Sequence, residues 1–166
     1  LLLPGPGIER YPVAGGGASV IEVAHGDVVE FMDVHGGQIG EVLFIDRTGS
    51  DRLTSAGLPS DGPARALAAL SRSAHPDAGL LTAAVAGLGV NPESAVAAHI
   101  FGSGSHAGST VRMVADASGI LIVLAPGGPM APDGSDLATN LTVMVFRESI
   151  TELEPVTSPP LLAQPS

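Results

Sequence analysis

Residues 26–45 read Gly-Asp-Val-Val-Glu-Phe-Met-Asp-Val-His-Gly-Gly-Gln-Ile-Gly-Glu-Val-Leu-Phe-Ile, two β-type apolar runs on either side of a Gly36-Gly37 turn. A strand points successive side chains to opposite faces. Val29, Phe31 and Asp33 then share one face of the first run, and Ile39, Glu41, Leu43 and Ile45 share one face of the second. Asp33 and Glu41 interrupt rows that are otherwise apolar. A carboxylate in an apolar layer is costly unless it is paired, hydrogen-bonded or protonated, which makes both acids candidates for ligand binding, metal binding or proton transfer. Both also stand near the ends of their runs, where water would solvate them. The sequence leaves the two readings open.

The flanking segments extend the pattern. Residues 19–24 and 28–34 read as a hairpin turned at His25-Gly26-Asp27, and residues 39–45 add a third strand to make a meander. Residues 46–61 are rich in Asp, Arg, Thr, Gly, Ser and Pro and read as a loop. An alanine-rich region follows. Pro63 suits the first position of a helix with Asp61 upstream to cap it, and Asp77 is placed to cap a second helix ending near Gly87 and Gly89. β signals return at 95–101, 110–115, 120–125 and 141–147. The expected fold is mainly β, a β-sandwich or barrel-like domain of about seven strands with a short two-helix insertion. Its expected organisation is an irregular segment over 1–17, one domain over 18–150 with the helical insertion at about 63–90, and a linker-like tail over 151–166. No internal repeat is present.

Composition excludes several function classes. A chain of 166 residues that is 45% hydrophobic can bury one proper core. Its net charge is −10, with seven arginines and no lysine, so no basic stripe exists to track a phosphate backbone and no nucleic-acid partner is expected. The absence of cysteine removes disulfides, thiolate zinc sites and cysteine nucleophiles. The opening Leu-Leu-Leu-Pro-Gly-Pro-Gly lacks the charged region and apolar length of a signal peptide, and no run approaches the roughly twenty apolar residues of a membrane span. The expectation is a cytoplasmic protein that does not enter a membrane.

The five histidines, His25, His35, His75, His99 and His106, form neither an i, i+4 helical pair nor an alternating strand pair, so no metal site is predicted. His99 and His106 flank the glycine-rich residues 102–109 and are placed to converge with Glu41 or Asp33 across a sheet. Residues 102–107 superficially match a dinucleotide fingerprint, but that motif must open a helix, whereas residues 109–113 continue as a strand. Ser103 and Ser105 lie in no nucleophile elbow. Residues 126–134, rich in Pro and Gly after the most apolar strand, suit the rim of a ligand pocket or a plain surface turn.

Taken in order, Gly26-Asp27, Asp33, Gly37-Gln38, Glu41, the late apolar strand with its Pro-rich loop and Asp133-Gly134, and Thr139-x-Leu141 resemble the urea-carboxylase-associated family. The likeness covers residues 12–48 and 96–147. It implies an association with urea or guanidine carboxylases, where paired members deaminate a carboxylated guanidine, or with aminomethyltransferase-like folate enzymes. On this resemblance Gln38 matches a characteristic glutamine, Glu41 an acidic position and Asp33 the aspartate before the turn. Catalytic members carry a His-Asp element in the middle and a cysteine in the late loop. Here the middle is alanine-rich and the loop reads Ala125-Pro126-Gly127. The resemblance therefore implies a small-molecule-binding or subunit-docking domain of one-carbon or small nitrogen-compound metabolism, with Asp33, Gln38, Glu41 and Thr139 as ligand-binding residues. The alternative is a hydrolase or deaminase in which Glu41 or Asp33 is the general base and His99 or His106 assists. A small polar metabolite and a protein partner or fused enzyme domain are the expected partners. A homo-oligomer stays open, and no cofactor is predicted.

Overall fold

The computed structural model describes residues 7–102, 104–127 and 138–147. These build nine strands and three short helices. The strands are β1 (Ile8–Val13), β2 (Ala18–Val23), β3 (Val28–Asp33), β4 (Gly40–Asp46), β5 (Gly62–Pro63), β6 (Val96–Ile100), β7 (Ser109–Val114), β8 (Gly119–Leu124) and β9 (Leu141–Phe146); the helices are α1 (Leu53–Ala56), α2 (Arg65–Ser71) and α3 (Ala78–Gly87). The fold is mainly β, as the sequence led one to expect. Two antiparallel sheets, ordered β1-β9-β3-β7 and β2-β8-β4-β6-β5, form a sandwich that does not close into a barrel.

The five-stranded sheet is the middle of three layers. Val42 and Phe44 of β4 and Leu121 and Val123 of β8 face the other sheet, joining Val29, Phe31, Val143 and Val145 in the intersheet core. Leu43 and Ile45, with Ile122 and Leu124, face the opposite way and pack on Leu67 of α2 and Leu81 and Val85 of α3. A strand covered on both faces must be apolar on both, which is why 42–45 and 119–124 read as continuous apolar runs. Each fully buried large side chain contributes roughly 1.5–3 kcal/mol relative to exposure.

Several expectations need correction. β2 and β3 do not form a hairpin: β2 pairs with β8, β3 pairs with β7 and β9, and the two strands lie in different sheets, so the meander is replaced by an arch. Its turn is held from outside rather than by cross-strand pairing. Gly26 N–H donates to Ala115 O at 2.7 Å, Ala115 N–H donates to Asp27 O at 2.8 Å, and the fully buried Asp27 carboxylate accepts Ala24 N–H at 2.8 Å. Arg147, at the end of β9, donates to Asp27 at 2.8 Å, Glu9 at 2.6 Å and Glu22 O at 3.0 Å, closing this end of the sandwich.

The strands number nine rather than about seven, and residues 8–13, expected to be irregular, are a strand paired with β9. Pro12 is tolerated there because β1 is an edge strand with one side unpaired. The two expected helices exist, and α3 ends at Gly87 as read. Pro63, however, lies in β5 and α2 begins at Arg65, so the predicted Asp61 cap is not formed. Asp77 stands at the start of α3 but its carboxylate accepts Ala18 N–H at 3.0 Å instead of capping the helix. The one-turn α1 lies within the segment read as loop. The tail over 151–166, residue 103 and most of the Pro-rich loop over 126–134 fall outside the described residues. No helix of the described residues is long and apolar enough to cross a membrane.

Candidate functional site

Asp33 ends β3, yet it is fully buried. Its carboxylate accepts Gly36 N–H at 3.0 Å, Gln38 N–H at 3.1 Å and the Ser105 hydroxyl at 2.5 Å. The aspartate thus shapes the turn over 34–38 and fastens it to the loop before β7. Gly36 and Gly37 both adopt positive φ, 85° and 74°, which L side chains resist. A Cβ on Gly36 would also lie 2.9 Å from Ala107 N.

Gln38 is 4% exposed and joins three segments. Its side-chain amide donates to Ile39 O at 2.7 Å and Pro126 O at 2.6 Å, while its oxygen accepts Thr139 N–H at 2.7 Å. Pro126 follows β8 of one sheet and Thr139 precedes β9 of the other, so Gln38 binds the sandwich shut at this end. Both donors and the acceptor are needed, a requirement glutamine or asparagine meets and a carboxylate does not.

Glu41 belongs to a different layer. Asp33 lies in the row of Val29 and Phe31, facing the intersheet core, whereas Glu41 lies in the row of Leu43 and Ile45, facing the helices. At 2% exposure it accepts Ala66 N–H at 3.1 Å and Leu67 N–H at 2.7 Å, the first-turn amides of α2, whose own N-cap residue Ala64 offers no side-chain bond. An anion at a helix N-terminus meets unsatisfied amides and a favourable dipole. The same carboxylate lies 2.9 Å from His99 Nε2, and His99 Nδ1 lies 2.6 Å from Asp61. Burial disfavours charge on the imidazole, but its bonds to Asp61 and Glu41 outweigh that, and its pKa rises above the ordinary 6.5.

The structure therefore brings Asp33 to Gln38, Gln38 to Thr139, and Glu41 to His99. It does not bring His106 to any of them: that residue is exposed, and its amide binds Ser109 Oγ. Asp61 was missed as a partner of His99 because it sits in a polar loop 38 residues away. Among the described residues no group of three or more His, Asp or Glu side chains is disposed to hold a metal ion.

Beside these contacts lies a depression of about 260 Å³ walled by Gly16, Gly17, Ala66, Ala69, Leu70, Ser73, Leu124, Pro126 and Gly127. Gln38 supports one wall through Pro126 and Glu41 supports the other through Ala66. A larger cavity of about 920 Å³ sits at the Arg147 end, among His25, Thr54, Val114, Asp116, Phe146 and Arg147, and includes none of the sequence-predicted site residues.

No family model matches the chain. Its sequence is 34% identical over 160 residues to the trimethylamine-oxide aldolase of Ruegeria pomeroyi, a match covering 96% of this chain and 20% of that protein. The chain thus spans about a fifth of the length of the curated relative it matches. Among solved structures, a DUF1989 family protein from Silicibacter pomeroyi superposes with a TM-score of 0.51 over 95% of this chain and 85% of that one, at 14% identity. At that identity the likeness is one of fold: this chain and that protein share an overall architecture.

Proposed function

We propose that the chain is a small-molecule-binding or subunit-docking module of the urea-carboxylase-associated type, serving an enzyme of one-carbon or small nitrogen-compound metabolism. The observation that carries this reading is that Gln38 and Glu41 bond the backbone at Pro126 and at Ala66 and Leu67, holding the two walls of an adjoining depression, while Asp33 holds the turn that carries Gln38. Groups so engaged position a binding surface better than they attack a substrate. The walls are apolar apart from Ser73, which suits N-methyl groups. A net charge of −10 favours cationic or neutral nitrogen compounds over anions.

The relative's name supports the same direction. Trimethylamine oxide is a nitrogen compound whose only carbons are methyl groups, so an aldolase acting on it yields a one-carbon aldehyde. This chain corresponds to a fifth of that protein, consistent with a module working alongside other domains. A second reading, hydrolysis or deamination of a guanidino or ureido compound, is favoured by one contact, the 2.9 Å approach of His99 to Glu41. Both nitrogens of that imidazole already face carboxylates, which leaves none free to act as a base until Asp61 moves away.

Chemical-shift mapping with trimethylamine oxide tests the proposal. Melting temperature is a poor readout, because this osmolyte raises the stability of folded proteins generally. The expected result is saturable shifts confined to Gly16, Gly17, Ala66, Ala69 and Leu70, abolished by Leu70→Trp. Uniform small shifts that survive the substitution would reject the site.

A further inference from the structure

His99 stands on β6 between Glu41 of β4 and Asp61, the residue preceding β5. An imidazolium carries two N–H donors and a neutral imidazole one. With carboxylate oxygens at 2.9 and 2.6 Å from its two nitrogens, only the charged ring satisfies both contacts. A neutral ring sets a nitrogen lone pair against one of the carboxylates.

Exposure decides which contact yields. Glu41 is 2% exposed and fixed by two amides of α2, whereas the side chain of Asp61 is 46% exposed and can be taken up by water. Loss of the proton therefore releases Asp61. That residue also accepts His99 N–H at 3.3 Å, and its own amide donates to Ala97 O at 3.0 Å, so it fastens to β6 the strap that runs through Gly62–Pro63 into α2. Among the described contacts, Glu41 and Asp61 are the charged groups that reach the imidazole. β6 carries no other titratable side chain, and Arg65 at the start of α2 is exposed and forms no ion pair among the described residues.

We infer that Asp61, His99 and Glu41 form a proton-controlled latch on the entry to α2, which holds the helical wall of the depression when His99 is charged and loosens it when His99 is neutral. The inference rests on the reading of that depression as the binding site, and it assigns Asp61 and His99 as positioning residues for it. The direction of the His99 shift places the transition above 6.5, on the alkaline side of an ordinary histidine.

The test uses the unliganded chain. Its His99 ring proton and the amides of Ala64, Ala66, Leu67 and His99 are followed by NMR from about pH 5.5 to 9, a range bracketing the histidine titration. The expected outcome is one shared midpoint for ring and amides, with hydrogen-exchange protection of the His99 amide, which donates to Asp61, and of Ala64, which donates to Ala95 O, lost above it. Asp61→Asn, at an exposed site, should move ring and amide midpoints together to lower pH. Amides of α2 that stay silent through the ring titration, or that keep their midpoint while the ring moves in Asp61→Asn, would overturn the latch. Because no ligand is present, such a failure leaves the binding module standing. Failure of trimethylamine oxide to bind a chain whose latch titrates as expected would instead remove the binding reading.

Discussion

Glu41 Oε2 accepts Leu67 N–H at 2.7 Å across 26 residues of sequence, so an acid on the central sheet supplies the anion that a helix with an alanine N-cap lacks. Glu41→Gln replaces one of two acceptor oxygens with a donor and sets it against an amide or the imidazole. The expected loss is about 1.5–3 kcal/mol, the range for hydrogen bonds to charged groups, measured as a lower urea midpoint at unchanged slope.

Gln38 must donate twice and accept from Thr139. Gln38→Glu faces two carbonyl oxygens with carboxylate oxygens, whereas Gln38→Met only removes the bonds. Urea unfolding at neutral pH should rank Gln38→Glu as the less stable, by about 1–3 kcal/mol, the penalty of an uncompensated buried group. Equal losses would mean that the carboxylate meets no penalty beyond the loss of the two donors.

Gly36 and Gly37 separate backbone strain from crowding. Both have positive φ, but only Gly36 would bring a Cβ against a backbone atom. Gly37→Ala should cost about 1–2 kcal/mol for the left-handed conformation, and Gly36→Ala more. Thermal unfolding of the two variants side by side gives the order.

His99 sets a pH dependence of definite sign. A histidine whose pKa is raised on folding contributes stability that is complete below its unfolded value and lost as pH rises through the folded value. The melting temperature of the wild-type chain should therefore exceed that of His99→Gln most below the ordinary 6.5, and the gap should narrow at higher pH. A gap that widens on going alkaline would contradict the ion triad.

Part of this was legible in the amino acids. Period-two rows placed Asp33 and Glu41 on apolar faces, and the structure finds both buried, Asp33 despite its place at a strand end. The continuous apolar stretches 42–45 and 119–124 belong to strands that the structure covers on both sides, which the period-two reading did not draw out. What escaped is long-range. A turn of His25-Gly26-Asp27 looks the same whether the chain folds back in one sheet or crosses to the other, and the deciding bonds come from Ala115 and Arg147 far along the chain. The same holds for Asp61, which local sequence offers as a helix cap but which the fold gives to His99. That Asp33 and Glu41 face different layers follows from sheet assignment, which no local pattern encodes.

The most direct measurement mixes trimethylamine oxide with the purified chain, follows amide shifts, and assays formaldehyde and ammonia in the same samples, with a guanidino and ureido panel in parallel. The account predicts shifts at Gly16, Gly17, Ala66, Ala69 and Leu70 with no product released by the chain alone. Product formation that disappears in His99→Gln, or shifts confined to Gly26 and Val114 at the Arg147 end, would contradict it.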